Sequence, residues 1–89
     1  MSKMPLNYAV LKYMTTVDVA CVDDVMAVLK DDYSQWKMFK PSGILEVLMT
    51  GEKNDLLIED HYEYNKAGEL MIYYHATEEG IAIINNYIK

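Results

Sequence analysis

The sequence predicts an α+β fold: helices form the core, and a two-stranded antiparallel hairpin is inserted before the last helix. Three observations carry this prediction. Apolar residues recur at three- and four-residue steps over Leu6–Met14, Val22–Leu29 and Ile44–Leu48. They switch to alternation around Ile58–Tyr64 and Leu70–Tyr74, on either side of the turn cluster Asn65-Lys-Ala-Gly-Glu69. The helical step then returns after Thr77. A period of 3.6 marks an amphipathic helix and a period of two a half-buried strand.

Leu6, Ala9, Val10, Tyr13 and Met14 make one helical face over 5–15, with Pro5 in the first turn, where its missing N–H costs nothing. Thr15 and Thr16 break the pattern, and Val17, Val19 and Cys21 alternate with Asp18 and Ala20 as a short strand over 18–21. A second helix over 22–31 carries Val25, Met26 and Leu29. Asp23 and Asp24 in its first turn and Lys30 near its end suit the helix dipole. Residues 31–40 admit two readings. Tyr33 and Trp36 extend the helical stripe, or Asp31-Asp32 end the helix and leave an aromatic-anchored loop. Pro41 sets a boundary either way.

The third helix, 42–53, turns Ile44, Leu45 and Leu48 inward and Ser42, Glu46, Thr50 and Lys53 outward, with Gly51 or Asn54 as its stop. Strands follow over 57–64 and 70–76. Pairing Tyr64 with Leu70 puts Glu59 opposite His75 and places Ile58, Tyr62, Tyr64 and Tyr74 on the packed face. Thr77 caps a closing helix over 77–88, whose first turn holds Glu78 and Glu79 and whose inner face is Ile81, Ile84 and Ile88.

Composition bounds the function. Eighty-nine residues, 52% of them hydrophobic, suit one domain over 1–89 and exclude a disordered chain. No apolar run approaches the roughly 18 residues of a membrane span. Met1–Pro5 lacks the apolar core of a secretory signal peptide, and the single cysteine suits a reducing compartment, so the expected setting is cytoplasmic. The net charge of −6 lies wholly in the second half, because five lysines balance five aspartates up to residue 40. Arginine, the commonest specific reader of guanine, is absent.

Helix, short strand, helix, helix, hairpin and helix is the order of the winged helix-turn-helix domain, which this chain resembles in its bacterial-regulator form over residues 5–89. Val22-Asp-Asp-Val-Met-Ala-Val-Leu29 is similar to that family's second helix. Ser42 to Lys53 with Asn54-Asp-Leu-Leu57 is similar to its third helix running into the first wing strand. Tyr73-Tyr-His-Ala-Thr-Glu-Glu-Gly80 is similar to the junction between wing and last helix. The resemblance implies a three-helix core, a two-stranded wing, a C-terminal helix and a non-enzymatic regulator of transcription. It also implies a third helix that enters the major groove of double-stranded DNA and a wing that touches phosphates. On that basis the DNA-contact candidates are Lys40, Ser42, Thr50, Lys53 and Lys66.

Charge supplies the alternative. Lys40–Asp55 nets −1 and Leu56–Ala76 nets −3, so the face expected to meet DNA is acidic. The second reading is therefore a protein–protein adaptor without DNA binding, whose acidic hairpin meets a basic partner. Trp36, Met38, Phe39, Ile83 and Tyr87, with Val47 and Met49, exceed what so small an interior covers, and point to a homodimer or other protein interface.

Glu59, His61, Glu63 and His75 share one strand face, which is too flat to converge on an ion; they read as a solvated cross-strand cluster, and no metal or other cofactor is expected. Cys21, between apolar neighbours, reads as a packing residue. The aspartate pairs read as helix-end charges, lacking the spacing of a calcium loop. No nucleophile–base motif or glycine-rich phosphate loop occurs, so an enzyme is not expected.

Overall fold

The protein is described by a computed structural model covering residues 4–88. Its elements are α1 (Leu6–Met14), α2 (Val22–Tyr33), α3 (Pro41–Lys53), β1 (Leu57–Tyr64), β2 (Leu70–Ala76) and α4 (Glu78–Tyr87). The first three helices and the hairpin build one core. Val10 and Met14 of α1, Val25 and Tyr33 of α2, and Ile44 and Leu48 of α3 meet Leu57 and Tyr74 of the hairpin. The helical and alternating patterns of the sequence thus converge on the same interior.

The strand expected over 18–21 is reduced to a single bridge. Ala20 N–H donates to the Tyr74 carbonyl at 3.0 Å, and Tyr74 N–H donates back at 2.9 Å. The reason is the start of α2. The Asp24 carboxylate accepts the Cys21 N–H at 3.1 Å, which draws the chain into the helix one residue past the bridge.

Residues 31–40 resolve into both readings in turn. Asp31 and Asp32 do not end α2; it continues to Tyr33, which is buried and donates its hydroxyl to the Met4 carbonyl at 2.6 Å. Turns then carry the chain through 34–40, with Trp36 set edge-on to Tyr33 at 4.9 Å. Pro41 is the first residue of α3. The turn is pressed hard onto that helix: a Cβ at Gly43 would lie 2.1 Å from the Met38 carbonyl oxygen. Gly51 does not stop α3. It is buried inside the helix, where Leu57 and Leu11 occupy the space of a side chain. Asn54 is the C-cap, and Asp55 turns the chain out with φ 63°.

The hairpin corrects two expectations. Tyr64 does pair with Leu70, Tyr62 with Ile72 and His61 with Tyr73, but the next pair is Glu59 with Tyr74. Asp60 is an extra residue, a β-bulge, so Ile58 rather than Glu59 lies opposite His75. The bulge swaps the faces of the first strand residues, burying Leu57 and leaving Ile58 about half exposed. Nor are Tyr62 and Tyr64 packed. They are 60% and 65% exposed, because the outer half of the hairpin projects past the helices while Tyr74, nearer its base, is buried.

Thr77 caps α4 as expected, accepting the Gly80 N–H at 2.8 Å. Lys12 ties the far end of α4 to α1, donating to Asn85 Oδ1 at 2.7 Å and to the Ile88 carbonyl at 3.0 Å. A lysine suits the negative end of a helix.

Two substitutions test this packing. Gly43→Ala must displace the Met38 carbonyl and is expected to cost about 1–3 kcal/mol. Leu48→Ala, at a fully buried site, is expected to cost about 2–5 kcal/mol. Urea denaturation of both variants reads these losses.

Candidate nucleic-acid interface

The outward side of α3 is bare. Ser42, Glu46, Met49, Thr50 and Lys53 are all exposed along it and share a shallow depression with Leu45. The steps of four, four and three that put Ser42, Glu46, Thr50 and Lys53 on one face in the sequence hold in the structure. Lys40 is the N-cap and Lys53 the last residue, so the two cations bracket a helix roughly 20 Å long at 1.5 Å per residue. Lys66 lies in the hairpin turn. That turn is built by Asn65, whose carboxamide oxygen accepts from the N–H groups of Ala67 and Glu69, both at 2.9 Å. Lys40, Lys53 and Lys66 pair with no carboxylate among the described residues. Glu46 stands mid-way along the same face and is the one anion on it.

No protein-family model matches the chain, and no curated protein sequence matches it. Its architecture does match solved structures. One is a candidate transcriptional regulator of Thermoplasma acidophilum, 17% identical, with a TM-score of 0.70 over 92% of this chain and 75% of that one. The fold is a winged helix. Another match is a zinc-responsive MarR family member of Lactococcus lactis, 13% identical, with a TM-score of 0.62 over 97% of this chain. The chain spans about half of that protein, 52% of its length. At these identities the likeness is one of fold. Within that fold α3 is the third helix, β1 and β2 are the wing, and Ala20 is what remains of the strand that precedes α2.

The wing carries a charge network that the sequence pattern does not show. Asp60, freed from the ladder by the bulge, reaches both histidines: its carboxylate lies 2.6 Å from His61 Nδ1 and 3.1 Å from His75 Nδ1. The second His61 nitrogen lies 2.9 Å from Glu63, and the ring stacks on Tyr73 at 4.7 Å. Hydrogen bonds to Asp60 first, and then Glu63, raise the His61 pKa above its ordinary 6.5. The bond from His61 lowers Asp60 below its ordinary value. The expected Glu59–His75 pair is thus replaced by Asp60–His75. The available signal was the run Leu56-Leu57-Ile58, which already violates period two. Among the described residues no group of three His, Cys, Asp or Glu side chains could hold a metal ion.

Cys21 is buried, with its thiol 3.4 Å from Asp24. Burial is the main cause that pushes its pKa up, which keeps it a thiol at neutral pH.

The interface candidates fall in two places. Trp36 and Met38, 40% and 47% exposed, line a groove with Pro5 and Leu6 at the start of α1. Ile83 and Tyr87, 39% and 81% exposed, lie on α4, which is tied to Lys12 in the last turn of α1. Phe39 and Val47 are partly buried against the core, whereas Met49 is exposed on the outer face of α3.

The His61 network is testable by pH. A raised histidine pKa stabilises the fold below the unfolded value of 6.5, and that contribution is lost as pH rises through the folded value. The lowered Asp60 works the other way, contributing above the ordinary carboxylate value of 3.8 and losing that contribution as pH falls. NMR titration is expected to show the His61 pKa falling toward 6.5 in Asp60→Asn, and falling less in Glu63→Gln.

Proposed function

We propose that this chain is a non-enzymatic, cytoplasmic, winged-helix regulator of transcription that binds double-stranded DNA as a homodimer through the outer face of α3. The observation that carries the reading is that face itself. It is uncovered, bracketed by Lys40 and Lys53, lined by the hydroxyls of Ser42 and Thr50, and followed by a wing with Lys66 at its tip. Lysines and short hydroxyl side chains hold a duplex by its phosphates. Dimerisation, through the Trp36–Met38 patch or the Ile83–Tyr87 patch, doubles a phosphate count that is small for one protomer.

One observation favours the second reading, an adaptor that binds protein and not DNA. Glu46 sits at the middle of the α3 face, and the wing carries Glu59, Asp60, Glu63 and Glu69 against Lys66 alone. Phosphates are repelled where a basic partner is attracted.

Fluorescence anisotropy on a random-sequence duplex separates the two. The regulator reading expects binding at low salt whose log–log salt slope is about −2.7 per protomer, from three phosphate contacts. Lys53→Ala combined with Lys66→Ala is expected to abolish it, and sedimentation of the same sample to show a dimer. Failure to bind even at low salt assigns the chain to the adaptor reading.

A further inference from the structure

The bridge at Ala20 leaves part of β2 unpaired. The N–H and C=O of Tyr74 both point to Ala20. In an extended strand every second residue points the same way, so Ile72 and Leu70 also turn their backbone groups away from β1. The far end of the hairpin agrees, since the Glu69 carbonyl accepts from Asn65 N–H and the odd-numbered residues therefore face β1. The chain does not continue along the open edge because α2 begins at Val22. Four backbone groups of Leu70 and Ile72 stand there, and no other described residue bonds to them.

A groove of about 350 Å³ runs beside this edge, between the wing and the first turns of α2 and α3. Its apolar walls include Val22, Pro41, Leu45, Leu70 and Ile72. Its charged residues are Asp23 and Glu69, both acidic.

We propose that the Leu70–Ile72 edge accepts an added β-strand from a protein partner. The segment is extended, about three or four residues long at the edge, with a β-branched or aromatic side chain in the groove and a Lys or Arg beside Asp23 and Glu69. Alternating donors and acceptors on the edge require an extended chain, which a helix or a phosphate backbone does not supply. The acidic pair selects a basic segment. It also selects against a second copy of the same edge, which brings Asp23 and Glu69 from both sides. The proposal does not rest on DNA binding by α3.

The probe is a pool of capped nonapeptides that alternate Val, Ile, Tyr or Thr with variable positions and carry a Lys at each end. It is selected on the full chain against Leu70→Pro. The Leu70 N–H takes no part in the β1–β2 ladder, so this proline removes an edge donor and leaves the ladder whole. A charge reversal, Asp23→Lys with Glu69→Lys, supplies a second variant that leaves the backbone intact.

Selected peptides are expected to bind the parent at least about tenfold tighter than either variant, which corresponds to 1.4 kcal/mol. They are expected to slow hydrogen exchange at the Leu70 and Ile72 amides at least about tenfold, and to leave the already bonded Met71 and Tyr73 amides unchanged. Three results overturn the proposal: no enrichment on the parent over the variants, peptides that protect amides elsewhere than Leu70 and Ile72, or a sedimenting dimer that Leu70→Pro dissolves.

Discussion

Tyr74 is the residue on which the arrangement turns. Its side chain is buried in the core that all three leading helices share, and its backbone is bonded to Ala20 on the edge away from β1. Those two attachments hold the wing against the helical body. They also settle where the chain must leave the sheet, because Cys21 is already the N-cap of α2. On the other side of Tyr74, the bulge at Asp60 lets Leu57 enter the core while Glu59 takes the place opposite Tyr74. One buried tyrosine thus couples the helix start, the wing register and the open β2 edge.

The two candidate surfaces differ in how they carry charge. On α3, cations stand at the two ends and an anion between them, which suits positioning on phosphates at the ends more than along the middle. On the wing, carboxylates outnumber cations, but two histidines are folded into them through Asp60. His61 has its pKa raised by those carboxylates, so the wing becomes more negative as pH rises through the titration of that residue. The exposed Tyr62, Tyr64 and Leu70 add apolar area to the same projecting half of the hairpin. A wing built this way offers aromatic and backbone contacts more readily than phosphate contacts, so different partners are proposed for its edge and its tip.

Much of the fold was legible because local patterns and global packing agree. The helical face of Ile44 and Leu48, the Thr77 cap and the Tyr64–Leu70 pairing are all decided by residues within a few positions of one another. The outer face of α3 was legible for the same reason. The Asp60 network was not, because a bulge changes side-chain parity without a reserved residue type, and period-two counting carries the error along the strand. The exposure of Tyr62 and Tyr64 was missed because alternation reports which residues share a face, and does not report whether anything covers it.

By itself, then, the sequence determined the order of helices and hairpin strands, the inner faces of the helices, the Thr77 cap and the placing of all excess negative charge in the second half. These follow from periodicity and short-range chemistry, which a linear chain carries in full. Only the tertiary structure decided that α2 runs on to Tyr33, that Gly43 and Gly51 are sites of close approach, and that the strand at 18–21 shrinks to one bridge. Each of these depends on what lies across the core: the Met4 carbonyl for Tyr33, the Met38 carbonyl for Gly43, Leu57 for Gly51, and Tyr74 for Ala20. The partner of a buried group is set by packing between distant segments, and no local pattern names it.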